Sequence, residues 1–388
     1  MKVSRRDFGK FAIGSLPVAS AMLAGPRLFA AAKPNSKING VQIGTITYSY
    51  RSMPDQSAEA TLKYAVDSGI SAVELMDGPT WAYAREKTGF TGGMTGRGGA
   101  GRGPGGPGGP GGAGPARGAA AAGTASTAAN PGEAASGSWN GQPCPAGRGP
   151  GGFGGGGNRS QPTAEQIAAQ QAAAEELRKW QLGLSMDIFK DLKKMYDDAG
   201  VNIYAVKILN LNAPEEELHR QFLIGQTLGA THLTAELPQH SDTSTETLKR
   251  VGDMALKHGM SAAYHTHTQG SMTVFDEAFA ASKGNKANVD LGHFVAGGNQ
   301  GGTPIDFLNK FHDRVASFHL KDRTLPEHCA LNLPWGQGET PIKQILQLVE
   351  KNKWTMPASV ELEYPIPQGS DAVKEVAKCL DYCKAALA

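Results

Sequence analysis

Short apolar runs and longer amphipathic runs alternate along most of this chain. Val41–Tyr48, Ala72–Met76, Asn202–Leu209, His232–Leu237, Ser261–His267, Asn288–Gly292, Val315–Lys321 and Ser359–Tyr364 are mostly rich in Val, Ile, Leu, Ala or Tyr. Runs of that length and composition predict strands covered on both faces. Between them fall amphipathic stretches: Ser57–Ser68, Ala164–Asp198, Pro214–Leu228, Thr245–His258, Val274–Ser282, Pro304–Phe311, Pro341–Lys351 and Asp371–Leu387. Pro214, with acids directly behind it, is a good helix entry. Eight strand–helix units in series predict an α/β fold, a parallel sheet closed into a (β/α)8 TIM barrel. An open doubly wound sheet is the competing arrangement, but no Gly-rich phosphate loop follows the first strand to support it.

Two segments break the alternation. Residues 1–32 begin with Ser4-Arg5-Arg6-Asp7-Phe8-Gly9-Lys10, continue through an apolar stretch from Phe11 to Leu23, and end near Ala30-Ala31-Ala32. A basic start, a short apolar middle and a small-residue end are the parts of an export signal, here of twin-arginine (Tat) type. The expected partner is therefore the Tat machinery, with a mature chain starting near Lys33 in the periplasm or outside the cell. The second break runs from Gly89 to Gln161 (residues 89–161), where 27 of the 70 residues from 91 to 160 are Gly. Such a segment cannot bury enough apolar surface to offset its ordering entropy, so a disordered insert after strand two is expected. What remains, within residues 33–388, is close to the roughly 250 residues of one barrel.

Composition narrows the partners. Lys plus Arg is 38 and Asp plus Glu is 36, a net charge of +2, which argues against a protein that coats nucleic acid. No apolar run reaches the roughly 18 residues of a membrane helix, so no stable insertion beyond the leader is expected. Four cysteines in 388 residues do not make a disulfide framework. Cys379 and Cys383, four apart on a helix, read as core residues. Cys144 falls in the insert and Cys329 in the loop after strand seven. Oligomeric state is open; a homo-oligomer is possible.

Chemistry in such barrels sits at the C-terminal strand ends, and here those ends carry metal-type side chains. His265, Asp290, His319 and Glu361 end the last four strands, with gaps of 25, 29 and 42 residues. Each gap holds one strand–helix unit, so the four groups would converge above the barrel axis. Mixed imidazole and carboxylate ligands suit one divalent ion, Mn²⁺, Co²⁺, Zn²⁺ or Fe²⁺. For any one of them the plainer reading is a hydrogen-bonded core histidine or a capping carboxylate.

Five segments carry a family resemblance: Val73-Glu74-Leu75, Asp290-Leu291-Gly292-His293, Phe318-His319-Leu320-Lys321-Asp322-Arg323, Trp335-Gly336-Gln337-Gly338-Glu339 and Val360-Glu361-Leu362-Glu363. Together they resemble the sugar phosphate isomerase/epimerase family, with its xylose isomerase-like TIM barrel. The resemblance implies a metal held by Asp290, His319 and Glu361, with His293 on substrate hydroxyls and Glu74 in the sugar pocket. Arg323 and Trp81 are further candidates for binding substrate; Trp81 and Tyr83 have packing against the first helix as their alternative. Ketose epimerases of this family end strand five in a metal-binding, proton-shuttling Glu. Here the segment is Tyr264-His265-Thr266-His267, similar to a branch with a Tyr-His-Asn-His strand, part of which resembles enzymes acting on 3-keto sugars and glycosides.

The chemistry implied is an isomerisation or epimerisation through an enediolate. Glu361 is the expected base, and His267 or Glu236 the opposite acid–base partner. His267 could instead brace His265, and Glu236 could be an extra ligand or a pocket-wall acceptor. Lys321 shares a strand face with His319 and could neutralise the enediolate or simply pair with Asp290 or Glu361. A lyase or hydratase on 3-keto sugars or glycosides shares the same early steps. A sugar-binding barrel without catalysis, and a DNA-repair endonuclease on the same barrel, are the remaining alternatives. The small-molecule partner is a sugar in all but the last.

Overall fold

A computed structural model describes residues 33–92, 137–144, 163–238 and 244–388. All described residues except Lys33 belong to the compact unit Pro34–Ala388. The expected leader, residues 1–32, and the expected disorder of residues 93–136 and 145–161 lie outside the described residues.

The chain lays down β1 (Val41–Ile46), α1 (Ala58–Asp67), β2 (Ala72–Met76), α2 (Asp77–Thr88), α3 (Ala164–Gly183), α4 (Met186–Ala199) and β3 (Asn202–Lys207). It continues with α5 (Glu215–Thr227), β4 (His232–Glu236), α6 (Thr245–Lys257), β5 (Ser261–His265), α7 (Asp276–Ala281), β6 (Asn285–Asp290) and α8 (Leu291–Ala296). Then come α9 (Pro304–Phe311), β7 (Val315–Leu320), α10 (Ile342–Asn352), β8 (Ala358–Val360) and α11 (Ala372–Ala386). Each of β1 to β8 pairs in parallel with the next, and β8 pairs with β1. The sheet is therefore a closed eight-stranded barrel, as the alternation predicts. Closure leaves no barrel edge; Lys37–Ile38 adds one short antiparallel ladder to β1.

Three local expectations are corrected. The stretch Ala164–Asp198 is two helices, because Ser185 accepts a hydrogen bond from the Asp187 amide and caps a new start. Only α4 faces the barrel, burying Phe189, Leu192, Tyr196 and Ala199, whereas α3 buries nothing. Burial of each large α4 side chain contributes about 1.5–3 kcal/mol, so α4 is the helix that seals β2 and β3. Residues 77–88, which the predicted strands and helices leave uncovered, form α2. The segment after Asp290 turns at once into α8, with Asp290 Oδ1 capping it by accepting from the His293 amide at 2.6 Å.

The cysteines bring a fourth correction. Cys144 and Cys329 form a disulfide across 185 residues, with Cα atoms 5.2 Å apart. A pairing between an insert and a distant loop has no local spacing signature, so sequence offered nothing to find it by. Cys379 and Cys383 are buried and free, as expected. Among the described residues no helix is long and apolar enough to cross a membrane.

The barrel interior carries a polar column. His232 Nε2 meets Ser317 Oγ at 2.9 Å, Ser317 donates to Asn288 Oδ1 at 2.7 Å, and Asn288 Nδ2 donates to Glu74 at 3.2 Å. Thr234 also donates to Glu74, at 2.6 Å. Burial pushes the His232 pKa down to about 4, against the pull of the Glu74 carboxylate. A histidine depressed in the fold stabilises above its unfolded pKa and loses that contribution as pH falls through the folded value. Between pH 6.5 and 4, His232 should therefore cost roughly 3 kcal/mol of stability. Urea unfolding across that range checks it: His232→Gln should show a shallower slope with pH, and an unchanged slope would exclude His232 as the source.

Candidate active site

At the C-terminal end of the barrel, the alternation of strand faces brings four side chains together. His265 ends β5, Asp290 ends β6, and His319 precedes the last residue of β7. Glu361 follows β8, where its amide donates to the Leu320 carbonyl at 3.0 Å and continues the ladder. One donor atom from each of the four lies within 4.8 Å of the others, and all four residues are buried. His265, Asp290, His319 and Glu361 thus converge as the spacing predicts.

The charges around them are strongly coupled. His319 stands between two carboxylates, with Nε2 at 2.7 Å from Glu74 and Nδ1 at 2.6 Å from Glu361. Burial works against its charge, but Glu74 and Glu361 outweigh that and lift its pKa to about 10. Burial likewise pushes Glu74 up, yet His319 brings it down to about 2. Glu361 ends well below the usual carboxylate range, because Lys321 and His319 overcome its burial. Asp290 rises to about 7, where burial outweighs the opposing pull of Lys321. His265 and His293 fall well below the usual imidazole value; burial leads in both, helped by His319 for the first and Lys321 for the second.

Lys321 is the cation of this cluster. Its Nζ lies 3.0 Å from Asp290, 3.1 Å from Glu361 and 2.7 Å from Glu363. The ion-pair alternative for Lys321 is therefore present in the structure. Gly292 makes room for it, because a Cβ there would overlap the Lys321 side chain and sit 2.5 Å from its carbonyl oxygen. Gly292→Ala should displace Lys321 and cost about 1–3 kcal/mol of stability through overpacking. Thermal melts would read this directly, and an unshifted Tm would mean the segment yields without strain.

Other candidates are placed elsewhere. Glu74 is fully buried below His319 and spends its oxygens on His319, Thr234 and Asn288. It braces the cluster through those contacts. Trp81 lies on α2 and packs edge-on against Trp180 of α3 and Phe189 of α4, not against the first helix. Arg323 is 1% exposed and sits behind His293, its Nη1 2.5 Å from His293 Nδ1. Asp322 accepts from the amides of Gly336, Gln337, Gly338 and Thr340, which anchors the Trp335–Glu339 loop.

The mouth is built by His267 and Glu236, with side chains 54% and 50% exposed and 3.6 Å apart. Their rim includes Lys207, 2.5 Å from Glu236, a residue the sequence reading passed over. It ends β3, so the same strand-end rule would have found it. The rings of His265, His267 and His293 stand edge to face around the opening, with centroids 5.0 to 6.4 Å apart. Asn288 and Glu363 were missed too; each lies two residues from a named ligand and shares its face.

The donor set fits a divalent ion. His265 Nδ1 is buried without a hydrogen-bond partner, and His293 Nε2 has nothing nearer than Glu363 at 3.6 Å; buried polar atoms in that state call for a ligand. Two imidazoles with two carboxylates form a borderline set suited to Zn²⁺, Mn²⁺, Co²⁺ or Fe²⁺.

Comparison with known proteins agrees with this architecture. The chain belongs to the xylose isomerase-like TIM barrel family, whose model matches residues 171–383. It is similar to a solved sugar phosphate isomerase/epimerase from Parabacteroides distasonis, at 15% identity over 92% of this chain and 97% of that one, TM-score 0.49. It is also similar to a probable 3-DHS dehydratase, AsbF, from Bacillus anthracis, at 11% identity over 88% of this chain and 98% of that one, TM-score 0.49. D-psicose 3-epimerase from Clostridium cellulolyticum H10 is a further neighbour, at 11% identity over 55% of this chain and 92% of that one, TM-score 0.39. No curated protein matches the sequence.

Proposed function

We propose that this protein is a divalent-metal-dependent isomerase or epimerase of small sugars, working through an enediolate. One observation carries the reading: four metal-type donors from four neighbouring strands lie within 4.8 Å of one another at the catalytic end of the barrel. His265, Asp290, His319 and Glu361 would hold the ion, which when bound supplies Lewis-acid polarisation of a sugar carbonyl. Glu361 accepts the proton next to the carbonyl. Lys321 and His319 hold it ionised, which also makes it a weak base; Lys321, 3.1 Å from Glu361 Oε2, compensates by neutralising the charge that develops on the substrate oxygen. His293 binds a hydroxyl, and the His267–Glu236 pair at the mouth returns the proton from the opposite side.

Purified protein loaded with Mn²⁺ or Co²⁺ should exchange the α-proton of at least one free ketose in D₂O, seen as loss of its proton NMR signal. No exchange on any ketose tested would count against the assignment.

A lyase or hydratase acting on 3-keto sugars or glycosides is the second reading. Its support is the exposed acid–base pair His267–Glu236, which stands where a departing group would leave and need a proton. Release of an aglycone from a 3-keto-glucoside would favour it over isomerisation. For either reading we place the mature chain in the periplasm or outside the cell after export by the Tat pathway. The Cys144–Cys329 disulfide supports this, since such bonds persist in oxidising compartments.

A further inference from the structure

We infer that the Cys144–Cys329 disulfide is a positioning device for the substrate-binding face of His293. The chain of contacts begins in the insert. Ser138–Trp139 and Gln142–Pro143 form a small antiparallel hairpin, closed by the Cys144 amide donating to the Gly137 carbonyl at 2.9 Å. This hairpin sits on the turn after β7. A Cβ at Gly137 would overlap the Glu327 carbonyl, and the Trp139 ring lies 5.6 Å from that of His328. The disulfide fastens the two pieces.

The turn it fastens is unusual in its backbone. Cys329 and Ala330 are consecutive non-glycine residues in the left-handed region, at φ +73° and +47°. L-residues avoid that region, and two in succession persist only where surrounding contacts hold them there. The conformation aims the Ala330 carbonyl inward, where it accepts from Arg323 Nη2 at 2.5 Å. Arg323 Nη1 then reaches His293 Nδ1 at 2.5 Å.

A guanidinium can only donate. His293 Nδ1 must therefore accept, and the neutral imidazole carries its proton on Nε2. That atom is buried and makes no hydrogen bond; Glu363 Oε2 lies 3.6 Å away, beyond hydrogen-bond distance. The ring is thus set, through Arg323 and the strained turn, to offer one N–H donor to an incoming oxygen. The histidine tautomer is fixed by a bond that lies outside the barrel, in a segment inserted between β2 and β3.

Reduction should release it. Dithiothreitol closes to its cyclic disulfide while Cys144 and Cys329 each take a hydrogen; the turn can then relax, and Arg323 loses its carbonyl anchor. This inference uses the sugar-binding role of His293 for one of its readouts only.

The test uses the full chain. Non-reducing peptide mapping should find Cys144 linked to Cys329, with Cys379 and Cys383 as thiols. Amide hydrogen exchange at residues 291–296 should speed up by about tenfold on reduction, a change expected from loss of one charged hydrogen bond. Cys144→Ser should show the same increase. Arg323→Gln should show it with the disulfide intact, and reduction should add nothing further at 291–296. If a sugar is turned over, reduction should raise KM about tenfold and leave kcat within about twofold, as loss of uniform binding does. Exchange that quickens at 324–331 but not at 291–296 would overturn the inference, as would absence of the linked peptide. A chain that turns over no sugar would defeat the proposed function, yet leave the exchange result to decide this one.

Discussion

Glu361→Gln should lower kcat by about 10³-fold or more. The change keeps the volume of the side chain and removes only its charge. Glu361 Oε2 lies 2.6 Å from His319 Nδ1, 3.1 Å from Lys321 and 3.9 Å from His265 Nε2. Three groups thus lose their shared anion at once. An amide cannot accept the substrate proton, and as a neutral ligand it holds a divalent ion more weakly. The fold should survive, because Asp290 and Glu363 still face Lys321. The measurements are Mn²⁺ titration, circular dichroism, and turnover of whichever ketose shows solvent exchange. A variant that keeps kcat within tenfold of wild type would remove Glu361 from the mechanism.

Glu74→Ala should destabilise the protein by about 3–5 kcal/mol, the usual cost of breaking a buried ion pair. Three donors lose their acceptor together: His319 Nε2, Thr234 Oγ1 and Asn288 Nδ2. His319 would then be a buried imidazolium with Glu361 as its single carboxylate partner. Its orientation toward the cluster is also lost, and removal of such a brace typically weakens metal affinity by about 10–100-fold. Urea unfolding gives the first number and Co²⁺ titration the second. If both stay at wild-type values, Glu74 is a passenger in the core.

The barrel and its quartet of donors were legible for the same reason. Strands buried on both faces announce themselves as apolar runs, and one strand–helix unit per gap places His265, Asp290, His319 and Glu361 side by side. Depth was not legible. Glu74 reads as a strand-end group, yet it is the middle residue of β2, two residues short of its end, and so lies deeper than His265 and Asp290, which end theirs. Trp81 follows β2 directly, but helix α2 carries it to the outside against Trp180. Arg323 shares a motif with His319, and only the fold shows it held between the Ala330 carbonyl and His293. The break at Ser185 needed the cap geometry to be seen. The Cys144–Cys329 bond joins parts of the chain whose proximity depends on the finished fold.

Lys321 has a consequence for how this end of the barrel holds together. Four carboxylates crowding one end of a barrel would repel each other and pry the strands apart. A permanent ammonium held among three of them keeps the empty scaffold together. Assembly of the barrel therefore does not wait upon cargo, and stripping the cargo with a chelator should leave a reloadable protein in place of an unravelled one.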